Sequence, residues 1–239
     1  SVIVLSQVSA FSIYPHIYSK LPYQAKDFEP ISIGAIMHHG LAVGPAVPAE
    51  VKTLKDFLAW SKNNPDKASF GSPGAGTQPH LIGALLSLRS GVKLSHVPYR
   101  GTAPAVSDLA GGQIAAVMGP SGDFLSYYKA GKLRVLATSG QQRNPYLPNV
   151  PTFAEQGFSD LVAEEWFGFY ANAKTPADVR QRAHAAITAA LKRDALTDSV
   201  GVVGLIATSS TPEEMARSQQ AEFDRWGPLV KQIGFTADS

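Results

Sequence analysis

A glycine-rich segment, Gly71–His80, holds the residues whose types and spacing best fit chemistry at a binding site. It reads Gly-Ser-Pro-Gly-Ala-Gly-Thr-Gln-Pro-His and lies between a predicted strand and a predicted helix. Glycines let the backbone turn sharply and approach a ligand closely. The amides at the start of the helix, near Thr77, have no intrahelical acceptors and lie at the positive end of the helix dipole. The segment therefore predicts a site for a small anion.

The same segment lacks the marks of two well-known phosphate-binding loops. It is not a Walker A loop, because no Gly-Lys-Ser/Thr follows, and Pro79 stands where a dinucleotide fingerprint needs its third glycine. A tight turn in which Thr77 caps the helix accounts for the same residues. His80, early in the helix, is either a ligand contact or a capping or packing residue.

Two further predicted strand-to-helix junctions carry similar residues. Tyr99–Thr102 precedes a helix that Thr102 is expected to cap, and Gly119–Gly122 precedes a helix that starts at Asp123. In a doubly wound sheet such junctions lie at the carboxyl edge of neighbouring strands, where ligands bind. Together they indicate a small anionic or polar ligand, although each alone is typical of a turn.

The residue types that serve catalysis do not form a catalytic set. Gly119–Asp123 resembles a nucleophile elbow, but Asp123 stands where the motif needs its last glycine. His38 and His39 are adjacent, so on a strand they point to opposite faces and cannot share a metal. The neighbouring Glu164–Glu165 pair has no partner carboxylate at a meaningful spacing. No enzyme mechanism follows from the sequence.

Composition excludes several classes of function. The 239 residues include 21 Lys and Arg against 19 Asp and Glu, which is too balanced for a nucleic-acid-binding surface. The absence of cysteine removes thiol catalysis, disulfides, iron–sulfur clusters and Cys-based zinc sites. The longest apolar stretch, Val200–Ala207, is far shorter than the ~20 residues that a membrane helix needs. We therefore expect a globular protein without a cofactor or metal and without a nucleic-acid partner.

The chain alternates between short apolar strands and amphipathic helices, which is typical of βαβ units and a mostly parallel sheet. The predicted strands are Val2–Leu5, Ile31–Ile36, Leu41–Val43, Ala68–Phe70, Lys93–Val97, Gln113–Met118 and Leu133–Thr138. The predicted helices include Gln78–Arg89, Ala103–Ala110, Asp123–Ala130 and Pro212–Ile233. Four threonines precede an acidic residue by three positions and are expected to cap helices, namely Thr53, Thr152, Thr175 and Thr211.

Two extended stretches, Met37–Ala46 and Val162–Ala171, are interpreted as crossover strands that join two lobes. The first lobe then comprises residues 1–44 and 165–239, and the second lobe comprises residues 45–164, with the glycine-rich segment. The proline-punctuated Gln141–Pro151 is predicted to be a surface loop.

A series of motifs, in order along nearly the whole chain, resembles the Bug (TctC-type) family of periplasmic receptors for tripartite tricarboxylate transporters. The motifs are Tyr18–Tyr23, Lys26–Ile31, Gly71–His80, Val97–Thr102, Leu109–Gln113, Ala130–Ala137, Val150–Gly157, Trp166–Phe169 and Thr175–Pro176.

The resemblance implies an α/β, two-lobed periplasmic binding protein of the Venus-flytrap, type II-like kind, with mixed, mostly parallel sheets. It implies a receptor that closes on a small organic carboxylate and presents it to the membrane subunits of a transporter, without an enzymatic step. Residues implied to contact the ligand are Ser9, Ala10, Phe11, Ser72, Gly74, Ala75, Gly76, Thr77, His80, Ala103, Ser121 and Trp166.

Two departures from the family pattern bear on binding. The family's opening strand, Pro-Gly-Gly-rich loop and helix precede the point where this sequence starts, so the first lobe is expected to lack that N-terminal strand–loop–helix. Phe11 and Tyr14 stand where relatives carry smaller or polar residues. They favour an aromatic or bulkier carboxylate if they line the cleft, and Phe11 equally fits a core position.

Two alternative functions remain open from the sequence. A hydrolase or transferase for small acids on the same scaffold requires a nucleophile–base pair. A ligand-sensing module for a signalling partner has the same sequence features as the transport receptor.

Overall fold

The computed structural model describes residues 3–237 of the chain. They divide into two compact units: unit 1 holds the residues up to Met37 and those from Glu165 onward, and unit 2 is His38–Glu164. Unit 2 is therefore one continuous stretch inserted into the sequence of unit 1. No helix within residues 3–237 is long and apolar enough to cross a membrane.

The chain passes from unit 1 to unit 2 inside a strand, β2 (Phe28–Val43), whose 16 residues run without a break. The prediction of separate strands at Ile31–Ile36 and Leu41–Val43 is therefore wrong. The intervening residues, which include His38 and His39, remain extended because both edges of β2 are paired around them. The predicted division after residue 44 lies at the end of this strand, whereas the observed division lies within it.

Unit 2 contains a five-stranded sheet in the order β6-β2-β5-β3-β4. β3 pairs in parallel with β4 and β5, and the end of β2 pairs antiparallel with β5 and β6. The remaining elements of unit 2 are α3 (Leu54–Asn63), β3 (Ser69–Ser72), α4 (Gln78–Ser90), β4 (Ser95–Pro98), α5 (Thr102–Ala110), β5 (Ala116–Pro120), α6 (Leu125–Lys129) and β6 (Arg134–Thr138).

The core of unit 2 forms between the sheet and its helices. Leu81, Ile82 and Leu85 of α4 are fully buried, as expected for a helix that covers a sheet. Gly83 lets the Phe70 ring lie directly on α4, because a Cβ atom at position 83 would stand 2.2 Å from Cε2 of that ring.

The stretch from Gln141 to Pro151 has no helix or strand, as predicted, but it is not confined to the surface. Leu147 and Val150 are buried within the same apolar cluster as Val117 and Leu133. Leucine and valine at these positions anchor the loop, so the proline-rich pattern predicted its conformation but not its burial.

Unit 1 is built from both ends of the chain. Strand β1 (Ile3–Gln7) pairs antiparallel with β7 (Glu164–Asn172), and β8 (Ile206–Ala207) pairs with β2. The predicted strand at Val2–Leu5 overlaps β1, and Val2 lies outside the described residues. The helices are α1 (Ser9–Ser12), α2 (Tyr14–Ile17), α7 (Ala177–Leu191), α8 (Asp194–Val202) and α9 (Pro212–Ile233).

Helix α9 has the predicted bounds, and Met215, Trp226 and Val230 on one side of it are buried. It starts with a capping box, in which the Thr211 hydroxyl accepts from the Glu214 amide and the Glu214 carboxylate accepts from the Thr211 amide.

The predicted caps differ in outcome. The capping box at Thr53 forms at the start of α3, and reciprocal hydrogen bonds also link Thr152 with Glu155, there before a short 3-10 turn. The predicted cap at Thr175 is wrong, because Pro176 is the N-cap residue of α7 and no side chain caps that helix.

Candidate functional site

Polar residues of unit 2 meet at one edge of its sheet. β3 and β5 are paired in parallel and so run in the same direction. β6 also runs in that direction, because β5 and β6 are both antiparallel to β2. The carboxyl ends of these strands therefore lie at one edge, as in other α/β proteins that bind ligands there. Ser72 ends β3, Ser121 follows β5, and Thr138 ends β6, and all three are buried.

The loop between β3 and α4 is held by its own hydroxyl groups. The Ser72 hydroxyl donates to the Gly74 carbonyl oxygen at 3.0 Å, and the Thr77 hydroxyl donates to the same oxygen at 2.7 Å. Gly76 has a φ of 78°, a left-handed conformation that favours glycine. Thr77 is the N-cap residue of α4 as predicted, but its side chain does not cap the helix amides. The Leu81 amide donates instead to the Thr77 carbonyl oxygen, and Pro79 has no N–H group to donate.

Two stacked imidazole rings, those of His80 and His96, pack against this loop and hydrogen-bond to it. The rings of His80 and His96 lie 3.9 Å apart between centroids, and Nδ1 of His80 accepts the Gly76 amide at 3.0 Å. Burial lowers the pKa of His80 to about 4. Burial, reinforced by the neighbouring His80, also lowers the pKa of His96 to about 4. Both rings are thus neutral at pH 7, and His80 acts within the loop rather than as a charged ligand contact.

The donors left over at the start of α4 are the backbone amides of Ala75 and Gln78. Among residues 3–237, neither amide donates a hydrogen bond, whereas the Gly76 amide is engaged by His80. Ala75 is exposed, so this helix start can be reached from solvent on that side.

Gln78 is a candidate site residue that the sequence analysis missed. It is 1% exposed, its backbone amide is one of the two donors described above, and its side-chain amide interacts with the His39 ring and opposes the lowering of that ring's pKa by burial. The signal that pointed to it was its position, directly after the N-cap residue of a helix that follows a glycine-rich loop.

The other predicted site residues of unit 2 lie at neighbouring helix starts. Ala103 is exposed in the first turn of α5, whose N-cap is Gly101, so the expected cap by Thr102 is wrong. The buried Ser121 hydroxyl accepts from the Asn144 side-chain amide at 3.2 Å.

In unit 1, Ser9 has an acceptor within the chain itself. Its amide donates to a carboxyl oxygen of Glu165 at 3.1 Å, and its hydroxyl lies 2.6 and 2.7 Å from the two carboxyl oxygens. Burial raises the pKa of Glu165 to about 7, against the effect of the Ser9 hydrogen bonds, with a further rise from Glu222. The amide and hydroxyl of Ser9, a residue implied to contact the ligand, are therefore engaged by a carboxyl group of the chain itself.

The remaining predicted residues of unit 1 pack in its core. Phe11 and Trp166 are each 5% exposed and belong to one apolar cluster with Tyr170 and Met215. The Phe11 ring lies 4.7 Å from that of Tyr170, which supports its core interpretation. Ala10 accepts a hydrogen bond from the Tyr23 hydroxyl, and with Phe11 it lines a cavity of about 330 Å³ within unit 1.

Two arrangements bear on metal binding and catalysis. Within residues 3–237, no group of three or more His, Asp or Glu side chains is placed to hold a metal ion. The Ser72 hydroxyl lies 2.7 Å from Nε2 of His96, a nucleophile–base spacing that the sequence did not reveal. Ser72 is fully buried and its hydroxyl donates a hydrogen bond to the Gly74 carbonyl oxygen. The Ser72–His96 pair therefore stabilises the conformation of the loop.

Known proteins resemble the chain over nearly its whole length. Residues 2–235 match the family model described as the tripartite tricarboxylate transporter family receptor, TctC. The chain is 30% identical over 215 residues to Protein BugT of Bordetella pertussis (strain Tohama I), a match that covers 90% of this chain and 65% of BugT.

Two solved structures are similar, each with a TM-score of 0.88 over 98% of this chain and 78% of the other. One is described as a periplasmic transporter and is 34% identical, and the other is R. palustris Rpa4515 with adipate and is 26% identical. The chain spans 62–66% of the length of four curated relatives that it matches.

Proposed function

The chain belongs to the tripartite tricarboxylate transporter receptor family, and on that premise we propose that it binds a small organic carboxylate and presents it to the membrane subunits of such a transporter. The proposed compartment is the periplasm, in keeping with the description of a similar structure as a periplasmic transporter.

The observation that carries the proposal is the pair of backbone amides at the start of α4. Ala75 and Gln78 donate to no acceptor within residues 3–237, and the 13-residue helix directs its positive dipole end toward them. A carboxylate bound there accepts a hydrogen bond from each of the two amides. Ser72, Gly74, Gly76, Thr77 and His80 act on this site indirectly, because their hydrogen bonds set the conformation of the loop.

A carboxylate fits this site better than a cation or a neutral sugar. The Ala75 and Gln78 amides are donors, and hydrogen bonds from amides to a charged acceptor are worth about 1.5–3 kcal/mol each. The related R. palustris structure holds adipate, a dicarboxylate. Phe11 packs in the core of unit 1, so we favour an aliphatic mono- or dicarboxylate over an aromatic acid.

Binding rather than catalysis is the role that the site supports. The buried Ser72 hydroxyl is held by the loop carbonyl, and no carboxylate contacts His96 in the part of the chain that the structure describes. A hydrolytic alternative predicts that a bound acid derivative is converted to product. Mass spectrometry of ligand recovered from the protein distinguishes the two, because a receptor returns its ligand unchanged.

The proposal is tested by thermal shift and titration calorimetry with mono-, di- and aromatic carboxylates, with sugars and inorganic cations as controls. Ala75→Pro removes one of the two amides and is expected to weaken carboxylate binding by about 10-fold or more. Ala177→Pro is the matched control, because it places proline at the first position of α7, behind an extended residue, in unit 1.

We expect wild type and Ala177→Pro to bind the same acids with equal affinity. Unchanged far-UV circular dichroism of the unliganded Ala75→Pro variant assigns its loss to the site rather than to misfolding. Stabilisation by sugars or cations but by no acid contradicts the proposal.

A further inference from the structure

A groove on the surface of unit 2 lies at the opposite end of the sheet from the proposed carboxylate site. It consists of two adjoining cavities of about 620 and 430 Å³, and Thr53 and Gln156 line both of them. The larger cavity is lined by the first residues of β6, which begins at Arg134, whereas β6 ends at Thr138, on the side of the carboxylate site. The groove is therefore a separate site.

The groove is lined by cations and by no carboxylate. Lys52 and Arg134 line the larger cavity and Lys55 lines the smaller one, and neither lining includes Asp or Glu. Within residues 3–237, the ammonium groups of the two lysines form no ion pair. The adjacent Asp56 carboxylate accepts hydrogen bonds from the amides of Lys52 and Thr53 in the capping box of α3. The groove thus carries unpaired positive charge.

The Arg134 guanidinium is held in position by the backbone. Its Nε atom donates to the Val51 carbonyl oxygen, and its Nη2 atom donates to those of Val47 and Pro48, each at 3.0 Å. Burial lowers the pKa of Arg134 and the Glu50 carboxylate raises it, but an arginine keeps its charge in proteins. The carbonyl oxygens are uncharged, so this cation is positioned without being neutralised by them.

Apolar side chains line the groove together with the cations. Leu58 and Phe158 are half-buried in the smaller cavity, and Val135 and Leu136 contribute to the wall of the larger one. An exposed ion pair contributes little on its own, so a small anion gains little from this surface. A chain segment gains more, because it combines several ion pairs with the burial of apolar side chains.

We propose that the groove binds an acidic segment of a partner protein. The carboxylates of that segment pair with Lys52, Lys55 and Arg134. Its apolar side chains pack against Leu58 and Phe158. Charge complementarity selects this occupant, since cations line both cavities and the apolar surface between the two ends of a segment needs side chains to cover it. The inference does not depend on the proposed function, because the carboxylate site lies at the other end of β6.

The test is fluorescence anisotropy of the full chain with three labelled synthetic peptides of equal length. One alternates glutamate with leucine, one alternates lysine with leucine, and one alternates glutamate with serine. The variants are Lys52→Glu, Lys55→Glu and Phe158→Ala. Lys62→Glu is the matched control, because Lys62 is exposed on α3, as Lys55 is, and lines neither cavity.

We expect the glutamate–leucine peptide to bind wild type about 10-fold or more tightly than the other two peptides do. Lys52→Glu and Lys55→Glu each weaken its binding by about 3–10-fold at low salt, and added salt reduces this difference. Phe158→Ala weakens it as well, whereas Lys62→Glu stays within about 2-fold of wild type. Melting temperatures confirm that each variant is folded, and the two charge variants alter exposed side chains only.

Several results overturn the inference. They are absence of binding to the glutamate–leucine peptide, equal binding of the lysine–leucine peptide, and an equal loss in Lys62→Glu. Binding to vesicles of anionic phospholipid but not to the peptide makes lipid the occupant instead. Self-association of wild type that Lys52→Glu abolishes makes a second copy the occupant. The thermal shift with small carboxylates tests the proposed function separately, and we expect it to be the same in wild type, Lys52→Glu and Lys55→Glu.

Discussion

Glu165 makes the stability of unit 1 depend on pH in a direction opposite to that of an ordinary paired carboxylate. Burial raises its pKa from 4.5 to about 7. Between these values the folded protein keeps a proton that the unfolded chain has released. The contribution of Glu165 to the free energy of unfolding therefore decreases as the pH rises from about 4.5 to about 7 and is constant outside that range.

The size of this effect follows from the difference between the two pKa values. At about 1.4 kcal/mol for each tenfold change in proton affinity, ionisation of the buried Glu165 costs the folded state about 3 kcal/mol at pH 8. Glu165→Gln replaces the carboxyl with a neutral group of the same size, whose oxygen still accepts a hydrogen bond from the Ser9 amide. We expect the variant to equal wild type near pH 4.5 and to become more stable than wild type as the pH rises.

The measurement is urea unfolding of both proteins at intervals from pH 4.5 to pH 8. Trp166 and Trp226 report on unit 1 by fluorescence, and Trp60 is the tryptophan of unit 2. Other titrating groups cancel in the difference between the two proteins. This matters because the lowered pKa values of His39, His80 and His96 make both proteins less stable as the pH falls below about 6.5.

Glu164→Gln is the matched control, because the adjacent Glu164 lies 3.3 Å from the His38 ring and that hydrogen bond lowers its pKa. Its stabilising contribution is present above pH 4.5 and is lost on acidification, so this variant is expected to be less stable than wild type at pH 8. A difference between Glu165→Gln and wild type that does not change with pH, or that favours wild type at pH 8, refutes the reasoning.

Two further predictions concern packing and capping. Gly83→Ala is expected to destabilise unit 2 by about 1–3 kcal/mol in urea unfolding, because the new Cβ collides with the Phe70 ring; a loss below about 0.5 kcal/mol contradicts this. Thr211→Ala removes the cap of α9 and is expected to cost about 1 kcal/mol, whereas Thr211→Ser, which keeps the hydroxyl, is expected to restore most of it; equal stabilities of the two variants count against the cap.

Local sequence patterns were sufficient for much of the fold. The alternation of strands and helices and the capping boxes at Thr53 and Thr211 depend on residues a few positions apart, and the structure confirms them. The resemblance to the Bug (TctC-type) family and the α/β binding-protein fold are likewise confirmed by the family match and the similar structures.

Contacts between distant residues were beyond these patterns. The bond between Ser9 and Glu165 joins residues 156 positions apart, and the spacing of Ser72 and His96 depends on the pairing of β3 with β4. Burial of Gln78 likewise depends on how α4 covers the sheet. The resemblance implied ligand contacts for Ser9 and Phe11 and gave no indication of their partners within unit 1, because those partners are distant in the sequence.

The insertion of unit 2 into the sequence of unit 1 has a consequence for how the chain acquires its structure. All of unit 2 is continuous, so its contacts close short loops and form early, whereas β1 finds its partner β7 only after unit 2 has been made. Until then Ile3, Val4 and Leu5, which remain partly exposed even in the finished fold, have no strand beside them. Until β7 has been synthesised, β1 is therefore an unpaired strand through which the chain can associate with other chains.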